Sequence, residues 1–348
     1  MTLSGAKADA AEHLPKPTFL QRFKVFGLCL GYVISSAVLI RFNKTMMKKD
    51  HFPHALALSA WHMLVSSVLC SALYWIAPSA FPAMASTKGD RLSLLKWFIP
   101  IGSCFAVMLF GSNQAYSYCS VTFLQFMKEG NVMLVFLISV ALGLQVITRL
   151  RFMVIIWVIV GSALAISGEI HLSTIGFIYQ AVSQVAECSR MVMGEMVLSG
   201  SRKLDPLTYT LFLAPICLIV LVVGNLIHFS PGTFVDFAEW WPLLIVNALV
   251  AFVLNIFVAA VIKECSAVGF VLTGLTKDIA IVLFSSIVYH ERVTKQQAVA
   301  FVVTLAGVGY WSLLKTNPEH FVVRLAERIL CVPPTATSEK MPLVVKKV

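Results

Sequence analysis

Residues 207–229 read LTYTLFLAPICLIVLVVGNLIHF, 23 positions without an Asp, Glu, Lys or Arg. About 20 apolar residues, rising 1.5 Å each in a helix, cross the roughly 30 Å hydrocarbon core of a bilayer. This stretch is long enough to do so. Apolar runs of similar length fall at about 25–46, 53–77, 97–116, 120–142, 153–168, 173–198, 240–262, 267–288 and 296–314. With short loops between them, they predict an all-α polytopic membrane protein of ten transmembrane helices.

The composition agrees. The chain has 348 residues, 58% of them hydrophobic and 13% charged, against roughly 25% charged in soluble domains. With a mean hydropathy of +0.84, a single water-soluble domain is excluded, and little is left for an extramembrane one. A net charge of +10 in a soluble protein would suggest nucleic acid. Here the bases sit at span ends, where they set orientation, so no nucleic acid is expected and membrane lipid is the expected surrounding. The eight cysteines are scattered without a CxxC and read as small packing residues, with no disulfide framework or metal site. There is no Walker loop, no Ser/His/Asp arrangement and no carboxylate pair in a soluble cleft. No catalytic residues, no cofactor and no enzyme activity are expected. The first 24 residues carry Asp9 and Glu12 and are poor in Ser and Arg, which argues against a transit peptide, and no cleavable signal is evident.

If both termini face the cytosol, eighteen bases lie on that side and six on the other, with Lys128, Arg190 and Lys277 inside spans. That asymmetry fits an even number of spans with both ends inside. A weak internal repeat accompanies it. Val146-Ile147-Thr148-Arg149 precedes a span with Gly161, and Arg292-Val293-Thr294-Lys295 precedes a span with Gly307. The copies are offset by 146 residues, near half the chain. Five helices per half is an odd number, so the second half enters the membrane upside down. The expectation is a 5+5 inverted-topology repeat, with residues 25–168 and 173–314 as its halves. A cytosolic segment 1–24 and a cytosolic tail 317–348 flank them, and the tail holds an amphipathic surface helix from Phe321 to Val332. In transporters built this way the binding site lies near the midplane between halves.

A charge at mid-membrane costs about 2.5–3.5 kcal/mol on the translocon scale and marks function. Lys128 and Lys277 each lie mid-run, 149 residues apart, so they occupy near-equivalent places in the two halves. Two ammonium groups facing one cavity make an anion site. The structural reading is local pairing with Glu129 and Asp278, which follow them directly. Adjacent helical residues do not face one another, so neither acid is expected to neutralise its neighbour fully. Glu187 and Arg190, three residues apart on one helix face, are expected to form a structural ion pair or the site's edge. Gln125, one turn from Lys128, together with Asn113, Tyr116, Thr273 and Asn255, are the polar candidates for substrate. Each of these polar residues could equally be an interhelical contact. His62 reads as a satisfied packing histidine.

The ordered set of segments resembles the triose-phosphate and nucleotide-sugar translocators of the drug/metabolite transporter superfamily, over about residues 25–315. It runs through Asn43-Lys44, Phe52-Pro53, His62-Met63, Ser112-Asn113-Gln114-Ala115-Tyr116 and Ser120-Val121-Thr122-Phe123-Leu124-Gln125-Phe126-Met127-Lys128. It continues through Glu187-Cys188-Ser189-Arg190, Leu204-Asp205-Pro206-Leu207-Thr208, Ala214-Pro215, Ala251-Phe252-Val253-Leu254-Asn255, Ser266-Ala267 and Lys277-Asp278. The resemblance implies an antiporter working by alternating access, with Lys128 and Lys277 binding substrate phosphate. Plastid phosphosugar translocators follow the second lysine with Arg. Here Asp278 stands there, similar to the Lys-Asp group of Golgi and other endomembrane carriers. Relatives usually read Lys-Ala-Leu-Met-Pro where this chain has Lys128-Glu129-Gly130-Asn131-Val132, so Glu129 and Asp278 are the candidates for selectivity.

The resulting expectation is an endomembrane antiporter, in the Golgi or a similar compartment rather than a plastid, exchanging a nucleotide sugar for a nucleoside monophosphate. The alternatives are a sugar-phosphate/phosphate translocator on the same fold and a non-transporting membrane receptor or trafficking partner. A homodimer is left open.

Overall fold

The computed structural model describes residues 19–145, 147–168, 173–198, 203–228, 230–288, 293–317 and 319–330. Most of the expected N-terminal segment and the end of the tail, as well as Val146, Arg202 and Arg292, lie outside the described residues. Those described form helices and no strand: α1 (Phe19–Met46), α2 (Ala55–Ile76), α3 (Ala83–Ser86), α4 (Arg91–Tyr116), α5 (Val121–Lys128), α6 (Asn131–Ala141), α7 (Arg149–Ser167), α8 (Thr174–Leu198), α9 (Pro206–Ile227), α10 (Gly232–Val288), α11 (Lys295–Thr316) and α12 (Phe321–Ile329).

The helix starts follow local chemistry. Ser120 Oγ accepts from Phe123 N at 3.1 Å and opens α5. Asp205 Oδ2 accepts from Thr208 N at 2.9 Å, with Pro206 in the first helical position of α9. Thr148 and Thr294, the two threonines of the internal repeat, cap α7 and α11 through Arg151 N and Gln297 N. Such caps satisfy backbone donors that the first turn leaves unpaired.

Among the described residues, eight stretches are long and apolar enough to cross a membrane: Phe23–Met46, Ala55–Ile76, Arg91–Tyr116, Val121–Ala141, Arg149–Ser167, Pro206–Ile227, Gly232–Cys265 and Lys295–Leu314. The expectation of ten is therefore met in part by this measure. The run at 173–198 forms α8, but its sequence includes Gln180, Gln184, Glu187, Arg190 and Glu195. The run at 267–288 is a continuation of α10 rather than a separate helix.

That α10 is not one straight rod. Fifty-seven residues at 1.5 Å would extend about 86 Å. Its first limb runs antiparallel to α1: Asn247 bonds Asn43, the Phe257 ring abuts Gly31, and Glu264 pairs with Lys24 at 2.8 Å. Phe270 then meets Tyr32, with ring centroids 4.8 Å apart. Six residues past Glu264 the chain has travelled back along α1 from Lys24 toward Tyr32. It therefore reverses near Cys265, and Lys277 returns to the level of the first limb.

A second departure lies at 120–142. The run is split between α5 and α6 at Glu129-Gly130. Glycine weakens a helix interior by about 1 kcal/mol relative to alanine, and the side chain of Gln184 supports the junction by donating to Met127 O at 2.7 Å and Asn131 Oδ1 at 2.8 Å.

The burial pattern is inverted relative to a water-soluble protein. Phe152, Ile156, Ile159 and Val160 on α7 and Val299 and Val302 on α11 are exposed, whereas Asn43, His62, Gln125, Gln184 and Arg190 are buried. An apolar exterior of this kind suits lipid. The tail helix is amphipathic as expected but ends at Ile329; it buries Val323 and exposes Phe321 and Ile329.

Candidate functional site

The α5/α6 break places Lys128 at a helix C-terminus, where the backbone dipole favours a cation. Its Nζ lies 3.9 Å from Glu187 Oε2 on α8. Asn131 Nδ2 donates to the same carboxylate oxygen at 3.2 Å. Glu187 thus turns to the facing helices, and the expected same-helix pair with Arg190 does not form. Arg190 instead lays its guanidinium over the Phe105 ring, 4.4 Å from the centroid.

Lys277 is 4% exposed, and its Nζ lies 2.7 Å from Asp278 Oδ1. Asp278 thus pairs closely with Lys277, where the expectation was that an adjacent acid would not fully neutralise its neighbour. Successive Cβ atoms do diverge on a helix, but a four-carbon stem is long enough to fold the ammonium back onto its neighbour. Glu129 behaves as expected in this respect. It is 1% exposed, and neither carboxylate oxygen has a hydrogen-bond partner.

Lys128, Lys277, Arg190 and Glu187 converge on one cavity, with about 780 Å³ of empty space including its mouth. Asn113, Tyr116 and Asn255 also line it. Gln125, Thr273, Glu129 and Asp278 do not. Gln125 is buried with both amide atoms unpartnered. Thr273 Oγ1 meets Cys29 Sγ at 3.6 Å.

Sequence reading missed five polar wall residues: Tyr32, Ser36, Asn43, His62 and Ser112. Two of them belong to a chain of side chains crossing four helices. His62 Nε2 bonds Asn247 Oδ1, and Asn247 Nδ2 donates to Asn43 Oδ1. Asn43 Nδ2 donates to Asn113 Oδ1 at 2.9 Å, and Asn113 Nδ2 to Ser59 Oγ at 2.9 Å. The links join residues up to 204 positions apart, so local spacing carried no signal of them. Nearby, Lys44 Nζ closes the end of α4 by donating to Tyr116 O at 2.6 Å and Cys119 O at 2.7 Å.

The assembled site presents three cations and several amide and hydroxyl groups to an interior volume, walled by helices from both halves of the sequence. Such a set can hold a polar anion away from lipid. The family model described as the Triose-phosphate Transporter family matches residues 24–312. A protein of Arabidopsis thaliana named a probable sugar phosphate/phosphate translocator is 28% identical, over 92% of this chain and 94% of its own. A second of the same description and organism is 29% identical, over 82% of this chain and 86% of its own. A solved crystal structure superposes with a TM-score of 0.51 at 12% identity, covering 85% of this chain and 99% of that one. That likeness concerns the fold alone.

Proposed function

The chain belongs to the triose-phosphate transporter family, and from that premise we propose that it exchanges a sugar phosphate for inorganic phosphate across a membrane. The observation that carries the reading is the convergence of Lys128, Lys277 and Arg190 on one interior cavity. Cations in a low-dielectric interior are suited to a phosphate monoester. The asparagines, tyrosines and His62 around them supply donors and acceptors for sugar hydroxyls. The names of the relatives favour this substrate class over the nucleotide sugar expected first from sequence.

We further propose ten spans in a 5+5 inverted repeat, with halves 25–168 and 173–314. The eight apolar stretches would be joined by α8 and by the second limb of α10. Helix packing supports this. The neighbours α7 and α11 occupy equivalent places in the two halves, as do α2 and α9. The pairing of α4 with α8 is mirrored by that of α10 with α1. The repeat glycines reciprocate too: Gly161 abuts Thr304, and Gly307 abuts Val158. Both termini are placed on the cytosolic face from the asymmetry of bases.

The test is counterflow in proteoliposomes loaded with inorganic phosphate, offering sugar phosphates and nucleotide sugars in parallel. Uptake of sugar phosphates is expected. Uptake of nucleotide sugars alone would return the nucleotide-sugar reading, and no uptake of either would remove the transport reading.

A further inference from the structure

We propose that Glu129 is a proton-binding site that couples anion binding in the cavity to proton uptake. The proposal rests on the cavity being an anion site, and adds to it a ligand that the family resemblance does not supply. Its starting point is geometric. Glu129 sits at the α5/α6 junction, sealed from solvent, with Oε1 and Oε2 both lacking a hydrogen-bond partner. An ionised carboxylate buried without a partner is strongly unfavourable, whereas the protonated acid carries no charge.

The surrounding groups do not relieve it. Its electrostatic neighbours on α10 are Asp278 and Lys277, and Lys277 is engaged by Asp278 at 2.7 Å. On its own segment Lys128 faces Glu187. From α8 come Glu187 and Arg190, the latter over the Phe105 ring. From α1 the titratable groups are Tyr32, packed on Phe270, and, nearer its end, Arg41 and Lys44, the last bonded to the end of α4. From α7 they are Arg149 and Arg151 in the first turn, with Arg151 5.9 Å from the Phe136 centroid.

The charges give the site its linkage. Lys128, Lys277 and Arg190 stand against Glu187, Asp278 and Glu129. With Glu129 ionised these six cancel, and an entering anion meets its weakest attraction. With Glu129 protonated they leave one positive charge, and the same anion is drawn in. The step moves one proton from the aqueous phase onto a Glu129 oxygen and changes no other bond. Release of the anion restores the carboxylate and returns the proton.

The test compares the half-saturation of inorganic phosphate counterflow in wild type and Glu129→Gln between about pH 6 and about pH 8. Phosphate's own ionisation acts equally on both proteins, so the ratio of the two values isolates Glu129. When only the protonated form binds, apparent affinity falls by up to about tenfold per pH unit above the group's pKa. The wild-type to variant ratio should rise with pH, with Glu129→Gln the tighter binder at the alkaline end. A ratio constant with pH overturns the proposal while leaving the anion site standing. If the variant does not fold, calorimetry of phosphate binding to wild type in buffers of different ionisation enthalpy decides. Uptake of protons beyond phosphate's own share supports the proposal, and none overturns it. Failure of wild type to bind or move phosphate at any pH overturns the anion reading itself, and this inference with it.

Discussion

The amide of Asn247 donates to Asn43 Oδ1 at 2.9 Å, and Asn43 passes its own amide on to Asn113. Each asparagine gives its NH₂ forward and accepts behind, so the chain runs in one direction. His62 must then hold its hydrogen on Nε2, facing Asn247 Oδ1. Asn43 is the link that ties α1 into this bridge. We expect Asn43→Leu to strand Asn113 and Asn247 in a buried setting, at about 1–3 kcal/mol for each unsatisfied group. The detergent-purified variant should melt well below wild type. Equal melting temperatures would mean that the bridge contributes nothing to the packed state.

Gly161 makes room for α11. A Cβ there would lie 2.4 Å from Thr304 Oγ1 and 3.3 Å from Thr304 Cα. Gly161→Val should push the helices apart and cost about 1–3 kcal/mol, as overpacking does. Thr304→Ala in the same chain should recover part of the loss, because it removes the nearest atom. Thermal melts of the three variants check this. A double variant no more stable than Gly161→Val would place the strain elsewhere.

The residues explain what was legible in advance. Lys128, Lys277 and Arg190 stood out because a charge inside an apolar run has few innocent explanations, and all three line the cavity. Glu187 lies at the cavity's edge, one of its two expected places, but its pairing was not legible because spacing along one helix sees only that helix. Its nearest partners, Lys128 and Asn131, come from the facing break. The break itself had a local cue in Gly130, outweighed by the apolar run around it. The reversal in α10 was legible as the gap between the runs at 240–262 and 267–288, where Lys263 and Glu264 interrupt the hydropathy and Ser266 and Gly269 follow. Asn43 and His62 escaped notice as site residues because what places them at the cavity is contact with distant sequence.

Arg190 should not tolerate lysine. Its planar guanidinium stacks on Phe105 at 4.4 Å, a contact worth about 0.5–2 kcal/mol according to its desolvation. An ammonium keeps the charge but loses the flat, weakly hydrated face. Arg190→Lys should insert normally and raise the half-saturation for phosphate several-fold. Phe105→Leu should move it in the same direction by loosening the guanidinium. Unchanged half-saturation in both variants would show that the stacking does not position Arg190 for the anion.

The two lysines should fail in different ways when truncated. Lys128 pairs loosely, at 3.9 Å, with a carboxylate that also accepts from Asn131 at 3.2 Å. Lys128→Ala therefore leaves Glu187 with a partner, and the protein should fold and insert. Its exchange should nonetheless fall. A hydrogen bond to a charged group contributes about 1.5–3 kcal/mol, roughly ten- to a hundredfold in affinity. Lys277 is different, because its ammonium lies 2.7 Å from Asp278, and both residues are buried. Lys277→Ala strands that carboxylate, and breaking a buried pair costs about 3–5 kcal/mol. The single variant should be poorly folded. Adding Asp278→Asn removes the stranded charge and should restore the melting temperature without restoring exchange. Size-exclusion profiles and thermal melts report the first effect, and phosphate counterflow in proteoliposomes the second. A well-folded Lys277→Ala, Asp278→Asn protein that exchanges phosphate at the wild-type rate would show that Lys277 serves only to neutralise Asp278, and the anion site would then have to be built from Lys128 and Arg190 alone.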